Sequence, residues 1–332
     1  MFSRLINKFK ANPTLYYAFS IAASWAGVGS LMNSVTMTQT YGIVPSIIWS
    51  LGNSVACILF GLIACKLPTL RSLMRTKTMK YAIGIISIFQ LWINMNGIRE
   101  VFSATPIGSM GGTIIVYAVC VGFIIALLKF GMIRNVLSDY ASWIAVYALI
   151  AVVTVAAYLT TGELNPGIGM GLEWENMKVG LFKGFLLLPG PFTFPYFFEL
   201  LDYNDSNEDG TKKTNIKTAF TLGGLMFGPY MIFTFALAFV QFTPWQEFLK
   251  AILVSIVAVS TISSFIYSEY IVFGRKLGLA IDMVAVIFWP LFIGLGVMGV
   301  WTLMAEIRIY LVFAMLAIAI VQMVMQKKEV RT

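Results

Sequence analysis

The sequence predicts an all-α integral membrane fold: ten transmembrane helices in two inverted sets of five, with the first and sixth spans broken. Three observations carry that expectation. Apolar residues make up 59% of the 332 residues and charged residues only 11%, where a soluble surface needs roughly a quarter of its residues charged. Charge-free runs recur at the length of about 20 residues that crosses a bilayer. Interruptions rich in glycine or proline fall midway along two of those runs, five spans apart. Mean hydropathy, +0.84, agrees.

The spans follow in order. Residues 11–65 carry no charge over 55 positions, enough for two crossings joined by a tight turn near 42–45. Further charge-free runs cover 81–98, 101–128, 140–162, 184–198, 218–246, 251–268, 283–305 and 309–326. The shortest, 184–198, gains length from 180–183 before it and 200–201 after it. The chain therefore reads as one transmembrane domain over 1–332, with repeats at about 11–162 and 176–326. Its longest polar segment, 202–217, is a loop. The first apolar stretch begins near Thr14 and outruns the apolar core of a signal peptide, so no cleavable leader is expected.

The formal charge is +8, from 23 Lys and Arg against 15 Asp and Glu. In a soluble chain that balance would suggest nucleic acid; in a membrane chain it reports topology, because basic residues collect on cytoplasmic loops. With the N-terminus inside, 18 of the 23 basic residues fall on inner segments. The remaining five are Arg99, Lys178, Lys183, Lys250 and Arg308. The expected protein is a multi-pass component of the plasma (cell inner) membrane with both termini cytoplasmic and no nucleic-acid partner. Histidine is absent and the three cysteines lie in apolar runs, so no His-ligated metal, cysteine cluster or disulfide framework is expected. No nucleophile–base pair, phosphate loop or cofactor motif is present, and an enzyme is not expected.

An odd number of spans per repeat turns the second set upside down. Inverted repeats of this kind place ligand sites near the midplane, where discontinuous helices expose backbone groups. The first span carries Ala26-Gly27-Val28-Gly29-Ser30 and the sixth Leu188-Pro189-Gly190-Pro191, about 160 residues later. Unpaired N–H and C=O groups in a bilayer cost several kcal/mol each unless an ion, a solute or water meets them. Breaks at equivalent positions of both repeats therefore point to a binding site, although glycines also permit close helix packing and prolines also kink helices. Polar residues at membrane depth tend to face a cavity. Gly27, Ser30, Asn33, Asn53, Gln90, Asn94, Pro189, Gly190, Phe192, Thr193 and Tyr196 are the candidates for a substrate pocket. Gln90 and Asn94 are four apart and share a helix face. No Lys, Arg or carboxylate is placed at the centre, so the expected solute is small, polar, and neutral or zwitterionic.

Three segments resemble the sodium/solute symporter family. They are Ser24-Trp25-Ala26-Gly27-Val28-Gly29-Ser30 with Thr40-Tyr41-Gly42-Ile43, then Gly131-Met132-Ile133-Arg134-Asn135-Val136-Leu137-Ser138-Asp139, then Val257-Ala258-Val259-Ser260-Thr261-Ile262-Ser263-Ser264. The resemblance covers spans 1–2, 4–5 and 8 in collinear order. The chain departs from the family at Leu200, where many members carry Arg. The resemblance implies a five-plus-five core and a sodium ion between spans 1 and 8. Carbonyls of Ala23, Ala26 and Val257 and hydroxyls of Ser260 and Thr261 would hold it, with Asp139 on the cytoplasmic ion path. Sodium is then the coupling ion; no other cofactor is expected. The implied function is secondary active symport by alternating access. The alternatives are a ligand-sensing receptor subunit of the same fold, or a proton-coupled or facilitative carrier in which Asp139 or Glu199 titrates.

Overall fold

A computed structural model describes residues 13–130, 135–162, 167–202 and 215–329, and among them helix is the only extended secondary structure. Six helices are long and apolar enough to cross a membrane, and a bent pair counted as one span makes seven. The protein is thus helical and multi-pass. Large apolar side chains such as Ile85, Met110, Ile114 and Leu159 are exposed on the outer helix faces, where a bilayer would cover them.

The first run divides into α1 (Pro13–Trp25) and α2 (Val28–Tyr41). Gly27 between them is extended, at φ −83° and ψ 168°. Gly42, at φ +98°, turns the chain into α3 (Ile43–Lys66); that left-handed conformation carries no steric cost for glycine. A short α4 (Pro68–Met74) leads to α5 (Lys77–Ser103), α6 (Gly108–Phe130) and α7 (Asn135–Thr161). The sixth predicted span begins earlier than its charge-free core, as α8 (Trp174–Leu187). A 3₁₀ turn over Gly190–Thr193 and extended Phe194 follow, then α9 (Pro195–Asp202). The bend across this break is 59°. Most of the predicted polar loop at 202–217 lies outside the described residues.

Two predicted boundaries are corrected. The seventh and eighth runs were divided near Lys250, yet α10 (Ile216–Ala236) ends before it and α11 (Pro244–Phe273) contains it. Pro244 occupies the first turn, where a missing N–H costs nothing, and the Gln246 side chain accepts from Thr243 N at 2.9 Å. Lys250 is then neutralised within the helix by Glu247. Likewise the last two runs were divided at Glu306 and Arg308. The structure divides them at Gly296, φ +64°, between α12 (Arg275–Phe288) with its 3₁₀ extension Trp289–Leu295, and α13 (Gly296–Glu329). Glu100 Oε1 accepts from Val297 N at 2.8 Å, satisfying one donor at the start of α13. Arg308 therefore belongs to the interior of a helix and not to an outer loop.

The principal packing pairs are α5 with α11, α3 with α10, α1 with α10, α3 with α8, α5 with α6 and α13, and α11 with α12 and α7. Small residues let the backbones approach. A Cβ on Gly97 would lie 1.9 Å from Val28 Cγ1, and one on Gly61 would lie 2.4 Å from Phe220 Cβ. Trp49, Trp289, Tyr230 and Phe60 are among the largest fully buried side chains of the core.

Candidate functional site

The break between α1 and α2 is held by α5. Asn94 Oδ1 accepts from Val28 N at 2.9 Å, so a side chain caps a helix that begins inside the bundle. Asn94 Nδ2 in turn donates to Gln90 O at 2.7 Å. Ser30 Oγ donates to Gly27 O at 2.6 Å. A Cβ on Gly27 would approach Asn94 Oδ1 to 3.2 Å, so a larger residue would press on the cap.

Gly27, Ser30, Asn33, Asn53, Gln90 and Asn94 all line one central cavity of about 40 Å³. These are six of the eleven residues proposed for the substrate. The five from the sixth span do not line it. Phe192 packs edge-on against Phe60, with ring centroids 5.1 Å apart. Thr193 Oγ1 donates to Gly190 O at 2.9 Å within its own turn. The Tyr196 hydroxyl lies 2.6 Å from Ser20 Oγ. Pro189 accepts from Phe192 N at 3.1 Å and so starts the turn. Gly190 sits behind the cavity wall, against Trp25 and Arg308. What this span offers the cavity is Leu187.

Arg308 corrects the expectation of a centre without charge. It lines the cavity, is 1% exposed, and donates from Nη2 to Leu186 O at 3.1 Å. The signal for it was in the sequence, because an ionisable residue flanked by long apolar runs is a site by default. Trp25, Trp49, Phe265 and Trp301 complete the aromatic part of the wall.

The five residues implied for a cation lie where α1 ends against α11. Thr261 Oγ1 is 3.1 Å from Ala26 O and 3.0 Å from Val257 O, and as drawn it can donate to either. Three of the five implied oxygens therefore converge. Ala23 and Ser260 are buried beside them, and Ser260 O accepts from Ser263 Oγ and Ser264 Oγ at 2.7 and 3.2 Å. Ser24 Oγ and Ser264 Oγ lie 3.3 Å apart, a further link between the two helices. Asp139 is on α7, and its side chain lies outside the described residues, as do 131–134 of the same motif.

Sequence reasoning missed a second buried cluster. Glu269 on α11 and Asp282 on α12 are 1% and 0% exposed. Ser87 Oγ donates to Glu269 Oε1. Glu269 Oε2 and both Asp282 oxygens have no hydrogen-bond partner. Among the described residues no group of three His, Cys, Asp or Glu side chains is placed to hold a metal ion. Two further cavities flank the centre. One of about 160 Å³ lies beneath α9, lined by Arg71, Arg75, Lys80 and Glu199, and one of about 550 Å³ lies by Glu100, Gln241 and Lys250.

The sequence matches no protein-family model, and no curated protein is significantly similar to it.

Proposed function

We propose that this chain is a secondary active transporter that couples entry of a small polar solute to sodium by alternating access. The observation that carries the reading is a polar cavity inside an apolar bundle, lined by the break between α1 and α2 and reached at Leu187 by the end of α8, the helix that the second break interrupts. Dividing the last run at Gly296, counting α1 with α2 and α8 with α9 as one crossing each, and leaving the seven-residue α4 aside would make ten crossings. Packing supports an inverted repeat among them. Exchanging each crossing with the one five places on maps the α5–α11 and α3–α10 pairs onto themselves. It also maps α1–α10 onto α3–α8, α5–α6 onto α11–α12, and α5–α13 onto α7–α11. Repeats of this type place substrate and ions at the broken helices. The convergence of Ala26, Val257 and Thr261 oxygens supports a cation there, since small hard cations take oxygen ligands.

Purified protein in liposomes tests this. An inward sodium gradient should drive accumulation of labelled solute from a panel of amino acids, hydroxy acids and sugars. Equal uptake with and without the gradient would remove sodium coupling, and no uptake of any kind would favour a sensing subunit.

The buried carboxylates favour one second reading, proton coupling, and they relocate its seat. Glu269 and Asp282 lack a counter-charge, whereas Glu199 accepts from the Tyr267 hydroxyl at 3.2 Å and faces a basic cavity. Asp282→Asn should then abolish uptake driven by a pH gradient while leaving solute counterflow intact.

A further inference from the structure

The central cavity presents an unbalanced set of polar atoms. Arg308 Nε, Asn53 Nδ2 and Trp25 Nε1 are buried donors without a partner, and Asn33 Oδ1 is a buried acceptor without one. All four residues line the same wall. A guanidinium offers five N–H donors, and the one bond recorded for this one runs to the Leu186 carbonyl. Among the described residues no Asp or Glu lines the cavity. A cation so placed is costly at membrane depth unless an anion meets it. Three donors to one acceptor match a carboxylate, which only accepts, joined to one donor group.

We propose that the central cavity binds a short carboxylate bearing a hydroxyl or amino donor, with Arg308 as the anion's partner. The Arg308 fork and the Asn53 amide hold the two carboxylate oxygens, and Asn33 Oδ1 accepts from the ligand's hydroxyl or amine. Size follows from the cavity. About 40 Å³ is room for roughly three water-sized groups at the 10–15 Å³ each that a water requires, which suits an acid of two or three carbons. This inference deepens the transporter reading and rests on it for the site's role, but binding is measured separately from transport.

The test is thermal unfolding of the purified protein in detergent, at fixed sodium and ionic strength. Glycolate and acetate as sodium salts, and glycine as its zwitterion, are titrated against glycolamide, acetamide and sodium chloride. Glycolate or glycine should raise the unfolding temperature most, acetate less, and the two amides and chloride not at all. Arg308→Gln should weaken the carboxylate response on the order of tenfold to a hundredfold, the loss of a charge-assisted bond. Arg308→Lys, which keeps the charge and loses the fork, should fall between. An amide or chloride effect equal to that of the acids overturns the proposal, as does no response to any acid or an undiminished response in Arg308→Gln. The ligand comparison needs no variant, so a misfolded mutant leaves it decisive. Binding without uptake of the same labelled acid into liposomes would refute the transporter reading and leave the carboxylate site standing.

Discussion

Gly190→Ala tests whether the two interrupted helices touch as described. The added Cβ would lie 2.2 Å from Trp25 Cη2, 3.0 Å from Cζ2 and 3.1 Å from Arg308 Nη1, where carbon atoms rest at about 3.5–4.0 Å. Trp25 must retreat by more than an ångström, and the Phe197 ring, its centroid 6.1 Å away, restricts that path. Overpacking of this kind costs about 1–3 kcal/mol. Gly190 is not at positive φ, so alanine also stiffens the unfolded chain and returns about 0.4–1 kcal/mol. The net expectation is a loss of roughly 1–2 kcal/mol, read as a lower midpoint in denaturant titration in detergent micelles. Trp25→Phe removes the ring atoms that the new methyl strikes. The double variant should therefore recover most of the loss, with a coupling energy of about 1–2 kcal/mol in the double-mutant cycle. Additive effects of the two substitutions would mean that the sixth-span turn does not press on the end of α1, and the geometry of the site would have to be rebuilt.

Ser260→Ala with Thr261→Val removes two hydroxyls with little change in volume; half-saturating sodium in the uptake assay should rise, and unchanged sodium dependence would eliminate the cation site. Glu100→Ala leaves Val297 N at the start of α13 without its acceptor, and should cost about 1 kcal/mol in the same denaturant titration, while Glu100→Gln should cost much less. Reporter fusions near residues 72 and 275 should report the cytoplasm and those near 104 and 168 the opposite side; one reproducible reversal would dissolve the repeat.

The broad architecture was legible because bilayer physics writes it in composition. Long charge-free runs marked a helical chain that crosses several times, and Gly42 and the Ala26-Gly27 pair stand at the turn and break expected of them. Faces were legible too: Gln90 and Asn94 reach the cavity together, whereas Asn96 instead accepts from Trp289 Nε1 at 2.7 Å on another face of α5. The break in the sixth span was placed correctly but its side chains were not. Phe192, Thr193 and Tyr196 turn away because Phe194, not Pro189, is where the chain becomes extended. Proline marks where a helix cannot continue, and it does not specify how the residues after it will rotate.

The more instructive error concerns charge. Using Lys, Arg and Glu as span boundaries assumes that a charge is always outside the bilayer, and the structure breaks that assumption in two ways. Lys250 breaks the rule by carrying its own counter-ion one turn away. Arg308 breaks it because it lies within α13 and faces a cavity. Glu269 and Asp282 break it again, each embedded in a helix with an oxygen left unpaired. Setting aside the charge with its own counter-ion leaves Arg308, Glu269 and Asp282, which have no ion pair among the described residues, and these fall at the central cavity and in the acidic cluster. Where the rule fails without a counter-ion it is therefore a detector: the same assumption that misplaced the boundary at Arg308 picks out the residues on which binding and coupling should depend.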